Sequence, residues 1–300
     1  MCQGVLSRNF IYSYQIELNR ACIKLNIPFI VLYAEAIAPV AQLEMNIIKT
    51  KTHKNVKFMG TNLLHYNSHG NRIYQNVKGV TPENSLTVGF PRSDVLFDHL
   101  KNADFKEKDQ ATLFYSAPIN KKRLFPEEMW SRLNIQEKLD DFYQIFLETA
   151  QLYNDYSFQI KFKRKNEHYK LFNMMVQKRN LIVPKNVKFI LGGDPLNLIL
   201  SSKFIFGFNS TVLLESLILN KIIIEPSIIT ENDDLPFSYL GQYSGITNYV
   251  DTKEQVFQLF NQRNDYKINK ISRNQALKHY LFYIDGKSSN RVNSAINNIT

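Results

Sequence analysis

The chain has 300 residues, 44% of them hydrophobic and 13% aromatic, which excludes a disordered polymer and allows two domains of ordinary size. A formal net charge of +10 suits anionic partners, namely nucleotide phosphates or phospholipid head groups, but no recognition helix, zinc finger or RNA-stacking signature points to nucleic acid. No run of about 18 apolar residues is present to span a membrane.

From the N-terminus, residues 13–26 set Ile16, Leu18, Ala21, Ile23 and Leu25 among polar residues in a helical pattern that Ile27-Pro28 ends. Phe29–Tyr33 (FIVLY) is an unbroken apolar run, as a parallel strand buried on both faces requires. Glu35 follows in the loop AEAIAP, at the carboxyl end where open α/β sheets place ligands, and is a candidate general base. A short strand over 56–59 and a helix-sized piece over 62–74 come next. The histidines of that piece, His65 and His69, lack the acidic residue of a metalloprotease pattern and are expected on the surface. Residues 86–88 read as a strand, and Gly89-Phe90-Pro91-Arg92 as a tight turn opening a helix. There Arg92 and Asp94 hold the linker, or Arg92 touches phosphate. The charged stretch 101–110 lacks apolar periodicity and marks a domain boundary.

A strand over 111–116 then runs into Ala117-Pro118. Phe142, Ile145, Phe146, Thr149 and Leu152 keep helical spacing and read as core. The strand SFQIKFKRK leads from Phe158 and Ile160 into Lys161, Lys163, Arg164 and Lys165, which either balance phosphate charge or form a solvated cluster. After a strand over 187–191, Gly192-Gly193-Asp194-Pro195 turns into a helix with Asp194 as cap and Pro195 at the first position. The segment FIFGFNSTVLLESLILNKIIIEP, Phe204 to Pro226, reads as buried strand, tight turn, helix and buried strand, a βαβ unit. Gly207 permits the turn, Asn209, Ser210 and Thr211 are cap residues, and Asn220 fits the left-handed stop. Free N–H groups and the positive dipole end at this helix start can hold an anion. Ser210 and Thr211 add hydroxyl donors, and Glu215, one turn on, can accept hydrogen bonds from two ribose hydroxyls. The plainer reading leaves Ser210 and Thr211 as caps and Glu215 in solvent. HYLFYIDGKSSNRVNSAINNI closes the chain with a helix that Ser288 or Ser289 would cap.

Several of these segments carry a resemblance. FGFNSTVLLESLILNKIIIEP is similar to the donor-site segment of bacterial surface-carbohydrate (capsule and lipopolysaccharide) glycosyltransferases of the GT-B class. Those have an Asn-Ser-Ser/Thr turn, a helix carrying Glu and a Gly-Lys-Pro-like turn; Asn220-Lys221-Ile222 stands at the last. Gly89, Pro91, Arg92 and Asp94 resemble the family's Gly-Asn-Pro-Arg-x-Asp segment, with Phe90 replacing Asn. Residues 285–291, DGKSSNR, resemble its terminal Asp-Gly-Lys-x-Ser-x-Arg segment. Lys161 matches the cation of a Lys/Arg-x-His-Pro segment whose His-Pro is missing. UDP-N-acetylglucosamine 2-epimerases and teichoic-acid glycerophosphotransferases share this layout.

The resemblance implies an α/β fold of two Rossmann-like domains facing a cleft. Residues 1–105 would form the acceptor side, and residues 106–300 the nucleotide-sugar-binding domain with a returning C-terminal helix. A full half of this kind takes roughly 150 residues, so the first domain is expected to be incomplete: a natural minimal form, a domain completed by a partner or a second copy, or a chain begun at an internal methionine. The resemblance further implies metal-independent transfer with no cofactor beyond the nucleotide-sugar donor. In a donor-binding set of Lys161, Asn209, Ser210, Thr211 and Glu215, Ser210 and Thr211 would hold phosphate, Glu215 ribose, and Lys161 would offset leaving-group charge. Glu35 would assist the hydroxyl of a glycan or lipid-linked acceptor, with Pro118, Lys163, Gly192, Gly193 and Arg92 lining the cleft. The alternatives are a nucleotide-sugar epimerase, a CDP-glycerol-type glycerophosphotransferase, or a non-catalytic nucleotide-binding domain. Cys2 and Cys22 have no metal-ligand spacing and do not suggest a disulfide framework. The start MCQGVLSRNFIYSYQ lacks a secretory signal core, so the expected location is cytoplasmic, with peripheral membrane contact.

Overall fold

In the computed structural model the described residues are 3–33, 57–102, 107–116, 131–163, 165–229 and 237–298, the side chains of His69 and Lys165 excepted. Glu35, Pro118 and Arg164 lie outside them. The chain divides into two compact units, Met1–Asn102 with Gln275–Thr300, and Ala103–Asn274.

In chain order the elements of the first unit are β1 (Val5–Ser7), α1 (Ser13–Lys24), β2 (Phe29–Tyr33), β3 (Asn62–His65), α2 (Ser68–Tyr74), β4 (Ser85–Thr87), a 3-10 turn (Pro91–Ser93) and α3 (Asp94–Asn102). The second unit holds β5 (Gln110–Tyr115), α4 (Ile135–Leu152), β6 (Ser157–Phe162), α5 (Lys165–Lys178), β7 (Val187–Leu191), α6 (Leu196–Ser201), β8 (Phe204–Phe206), α7 (Thr211–Ile218), β9 (Ile222–Pro226), β10 (Asn248–Val250) and α8 (Lys253–Asn261). Helix α9 (Lys270–Leu281) runs across the dividing point, and α10 (Ser288–Asn297) ends the described chain.

The first unit is built on a parallel sheet in the order β1-β2-β3-β4. Alternate residues of its apolar strands serve two cores, as a parallel sheet covered on both faces requires. Phe29, Val31, Tyr33 and Leu63 pack with Phe10, Phe58 and Tyr74, while Ile30, Leu64 and Val88 meet Val292 and Ala295 of α10. Strand β1 was not among the expected elements. Residues 62–74 are not one helix: Leu63 and Leu64 are fully buried between β2 and β4, which pulls 62–65 into the sheet.

The division between Asn102 and Ala103 stands close to the expected residue 105, but the C-terminal segment, counted with the second domain as a returning helix, groups with the first unit from Gln275 onward. The reason is a set of bonds across the sequence. The Asp94 carboxylate accepts the Ser288 N–H at 3.0 Å and the Ser289 N–H at 2.6 Å, so it caps α10 in place of either serine's own hydroxyl. Asp94 is therefore engaged by α10 and does not act simply as an Arg92 partner at a linker. Asn67 Nδ2 donates to the Tyr280 carbonyl at 2.7 Å. Gly89 has φ +92°, and a Cβ there would lie 2.4 Å from Ser288 Oγ. Only glycine lets residues 89–94 and 285–291 dock so closely.

His65 also departs from expectation, being 1% exposed at the carboxyl end of β3. Its Nε2 lies 2.9 Å from Ser85 Oγ, which in turn donates to Asn71 Oδ1 at 2.9 Å, and its ring stacks on Tyr74. Nδ1 is buried without a hydrogen bond. Burial lowers the imidazole pKa to about 3, so the folded state holds His65 neutral where the unfolded chain takes up a proton. Stability contributed by neutral His65 is therefore present above about pH 6.5 and is lost as pH falls toward 3, at about 1.4 kcal/mol per pH unit. Urea unfolding of the first unit between pH 7 and pH 4 should show that slope, and His65→Gln should flatten it while keeping a group able to bond Ser85.

Candidate functional site

The second sheet is parallel throughout, in the order β10-β9-β8-β5-β6-β7. The chain enters at β5 in the middle, builds outward through β6 and β7, then returns to the other side of β5 for β8, β9 and β10. The direction of winding reverses between β5 and β8. In open α/β sheets the ligand crevice lies at such a reversal, outside the carboxyl ends of the strands. Here those ends are Tyr115–Ser116 and Phe206–Asn209.

Both ends are held firmly. Tyr143 on α4 donates its hydroxyl to the Ser116 carbonyl at 2.9 Å and accepts the Ser116 N–H at 3.3 Å. Complete burial raises the Tyr143 pKa well above its ordinary value, so it stays a neutral donor. The Ser116 hydroxyl donates to the Phe208 carbonyl at 3.3 Å, joining the two strand ends directly. On the β8 side the turn passes through Asn209 with φ 44°, a left-handed conformation that Asn tolerates better than most residues. The Asn209 amide then fastens the following loop: Nδ2 donates to the Phe237 carbonyl at 3.0 Å, and Oδ1 accepts the Tyr239 N–H at 3.1 Å. Tyr239 returns a bond from its hydroxyl to the Ser210 carbonyl at 2.6 Å.

The anchor of this arrangement is Glu225, at the carboxyl end of β9 and wholly buried. One carboxylate oxygen accepts the Asn209 N–H at 2.9 Å and the other the Ser238 hydroxyl at 2.6 Å. Sequence reading passed over Glu225 as part of a strand, although a carboxylate closing the apolar run IIIEP at the ligand end of a parallel strand was a visible signal.

Helix α7 starts from this turn. Ser210 is its N-cap residue, but the hydroxyl makes no capping bond, and Thr211 is exposed at the first position. Glu215 is 3% exposed on the same helix, so it does not lie in solvent. The far end is closed thoroughly. Asn220 takes φ 57° as expected, and the Lys221 and Asn220 N–H groups bond the Ser216 and Leu217 carbonyls, a Schellman stop. Arg273 of α9 donates Nε to the Leu217 carbonyl at 2.9 Å and Nη2 to the Ile218 carbonyl at 2.6 Å. The Gly-Lys-Pro-like position has its own role: Lys221 is buried and donates to Glu107 at 2.7 Å and to the Leu200 carbonyl at 3.0 Å.

On the other side of β5, Lys161 of β6 stands beside Phe114 in register and is buried, with Nζ donating to the Phe162 carbonyl at 3.2 Å. Burial lowers its pKa, and nearby Asp194 works in the opposite direction. Lys161 is thus not part of a solvated cluster, whereas Lys163 is exposed. Gly192 and Gly193 both have left-handed φ, and a Cβ on Gly193 would meet nothing within 4 Å, so the turn after β7 is open above that residue. Asp194 accepts the Leu196 N–H at 3.0 Å, and α6 begins at Leu196, one residue later than expected. Arg92 belongs to the first unit, where it is exposed near Tyr66. Among the described residues no group of His, Cys, Asp or Glu is placed to hold a metal ion. No described helix is long and apolar enough to cross a membrane.

No protein-family model matches the chain, and no curated protein matches it. Solved structures do. A UDP-GlcNAc 2-epimerase from Neisseria meningitidis bound to UDP-GlcNAc aligns with TM-score 0.54 at 14% identity, over 98% of this chain and 73–75% of such partners, 75% in this case. The wall teichoic acid polymerase TagF, soaked with CDPG, aligns with TM-score 0.51 at 12% identity over 99% of this chain and 71% of its own. A UDP-GlcNAc 2-epimerase from Methanocaldococcus jannaschii in complex with UDP-GlcNAc and UDP gives TM-score 0.50 at 15% identity, over 94% and 79%. At such identities the likeness is one of fold: the GT-B-like architecture of two parallel-sheet α/β domains.

The Glu225 anchor yields a direct test. Glu225→Ala leaves the Asn209 N–H and the Ser238 hydroxyl buried without their acceptor, and should cost about 2–4 kcal/mol in urea unfolding of the second unit. Glu225→Gln, which can bond both groups if the Ser238 hydroxyl turns to accept, should cost about 1 kcal/mol.

Proposed function

We propose that this chain is a nucleotide-sugar-dependent enzyme, and specifically a glycosyltransferase moving a sugar to a glycan or lipid-linked surface-polysaccharide precursor. The observation that carries the reading is the fixed turn Gly207–Thr211 at the winding reversal of the second sheet, opening α7 with its N-terminal N–H groups and two hydroxyls. Structures of the same fold hold UDP-GlcNAc or UDP, which supports a nucleotide sugar as the ligand class.

In this reading Asn209 shapes the turn, while Ser210, Thr211 and the first N–H groups of α7 bind the diphosphate. Glu215 accepts the ribose hydroxyls. Lys161 offsets charge on the departing nucleotide, a stabilisation greater in the transition state than in the ground state. Its lowered pKa fits a buried cation that gains from a phosphate close by. Glu35 takes the proton of the acceptor hydroxyl as general base. No metal is required for these steps, and the nucleotide sugar enters as substrate.

Epimerases among the similar folds favour a second reading, interconversion of a nucleotide sugar without an acceptor. Against it stands a sequence with no histidine beside Glu35 and no evident acid/base carboxylate set.

Thermal shift with UDP, CDP, GDP and CMP should single out one nucleotide, since a ligand bound only by the folded state raises stability by mass action. Glu215→Gln should then weaken that nucleotide about ten- to a hundredfold, the equivalent of about 1.5–3 kcal/mol of charge-assisted bonding. A loss of thermal stability with unchanged nucleotide affinity would assign Glu215 to packing alone. Glu35→Gln should leave nucleotide affinity intact and lower turnover about a hundredfold.

A further inference from the structure

Helix α1 sits on the first unit with an unusual distribution of side chains. The residues it buries are Gln15, Asn19 and Cys22. Gln15 Nε2 donates to Ser7 Oγ at 3.0 Å, fixing this polar face against β1. Cys22 packs in the core, but the larger apolar residues lie elsewhere: on one flank Tyr14 is 61% exposed, Leu18 43% and Leu25 68%, with Ala21 exposed between them, while Ile23, 53% exposed, stands alone on the opposite flank. A globular helix normally turns its apolar stripe inward.

Single exposed leucines mean little. Here, however, the spacing from 14 to 18, 21 and 25 is the four-three-four step of a heptad seam. At about 100° per residue these positions fall within an arc of about 60°, on the flank of the helix beside the buried polar face. Ala21 is the small residue that allows close approach at the middle of the seam. Glu17 and Lys24 share one heptad position and line the solvent-side rim. In a parallel pair, each would meet the heptad position occupied by Gln15 and Cys22, both buried against the first unit. In an antiparallel pair, Glu17 of each helix meets Lys24 of the other, twice by symmetry. The charges are thus complementary to themselves in one orientation only, which is the requirement of a two-fold isologous contact. The existing Glu17–Arg20 pair is solvent-exposed on both sides and is cheaply exchanged.

We infer that α1 is a self-association surface, pairing antiparallel with α1 of a second copy of this chain through Tyr14, Leu18, Ala21 and Leu25, in a register set by Glu17 and Lys24. The seam is three turns long, so the dimer forms in about the micromolar range.

Sedimentation equilibrium from 1 to 200 μM (about a 200-fold range that brackets such a Kd) tests it. The native chain should pass from 35.1 kDa toward twice that mass. Leu18→Glu should be monomeric throughout with an unchanged far-UV spectrum, because Leu18 is not part of the core. Lys24→Glu opposes two carboxylates and should weaken association at least about tenfold, as should Glu17→Lys. The double exchange Glu17→Lys with Lys24→Glu restores complementarity and should recover the native constant. A native chain monomeric at the highest concentration overturns the inference. So does a dimer indifferent to Leu18→Glu, or a double exchange that fails to recover. Monomer that instead binds phosphatidylglycerol vesicles, and loses that binding in Leu18→Glu, would assign the face to a lipid surface and overturn it equally.

Discussion

A buried carboxylate organises the second unit at its ligand end. Glu225 is enclosed by protein, and a buried carboxyl group is tolerated there because both oxygens are bonded. Those bonds hold Asn209 in its left-handed turn, and the Asn209 amide then holds the loop through Phe237 and Tyr239. Tyr239 reaches back to Ser210. The first residue of α7 is thereby set relative to β8 and β9 by a closed circuit of polar contacts rather than by apolar packing alone. A turn of this kind is preorganised: little ordering is left to be done when a ligand arrives.

The opposite end of α7 is settled by different means, with Asn220 stopping the helix and Arg273 bonding its last carbonyls. Burial lowers the Arg273 pKa without removing its charge, so a cation stands at the negative end of the helix dipole. The C-terminal carbonyls of the helix are thus satisfied by protein. Lys161 and Asp194 stand across β5 as a buried cation and a nearby anion, and the open turn at Gly192–Gly193 adjoins them.

How much of this the sequence discloses depends on the reach of each signal. The run from Phe204 to Pro226 was legible because everything it needs is local: two apolar triplets, a Gly, and an Asn where a left-handed stop is required. The sheet strands β2, β5, β6 and β7 were legible for the same reason. Strand β3 was not, because four residues with two leucines cannot distinguish a strand from a helical turn. His65 looked like a surface residue because the groups that enclose it, Ser85 and Asn71, are specified elsewhere. Helix α1 was legible as a helix, but its apolar positions do not reveal which flank meets the core. The motifs at 89–94 and 285–291 looked like separate marks of one family. They are docked together through Asp94 and Gly89, a contact between residues that no local pattern joins.

The Asp94 contact joins residues 194 positions apart, and this has a consequence for biosynthesis. Residues 103–274 form a continuous stretch whose sheet is complete once β10 and its flanking helices have been made. The first unit is made of two pieces, and the second of these is synthesised after residues 103–274. During translation the N-terminal hundred residues therefore wait, with Ile30, Leu64 and Val88 lacking the cover of Val292 and Ala295, until the rest of the chain has emerged. The order of folding runs against the order of synthesis: the later unit closes on its own, and the earlier one is finished by the final helix. Over that interval the first unit carries an unfinished apolar face, the kind of surface that invites non-native contacts until α10 docks.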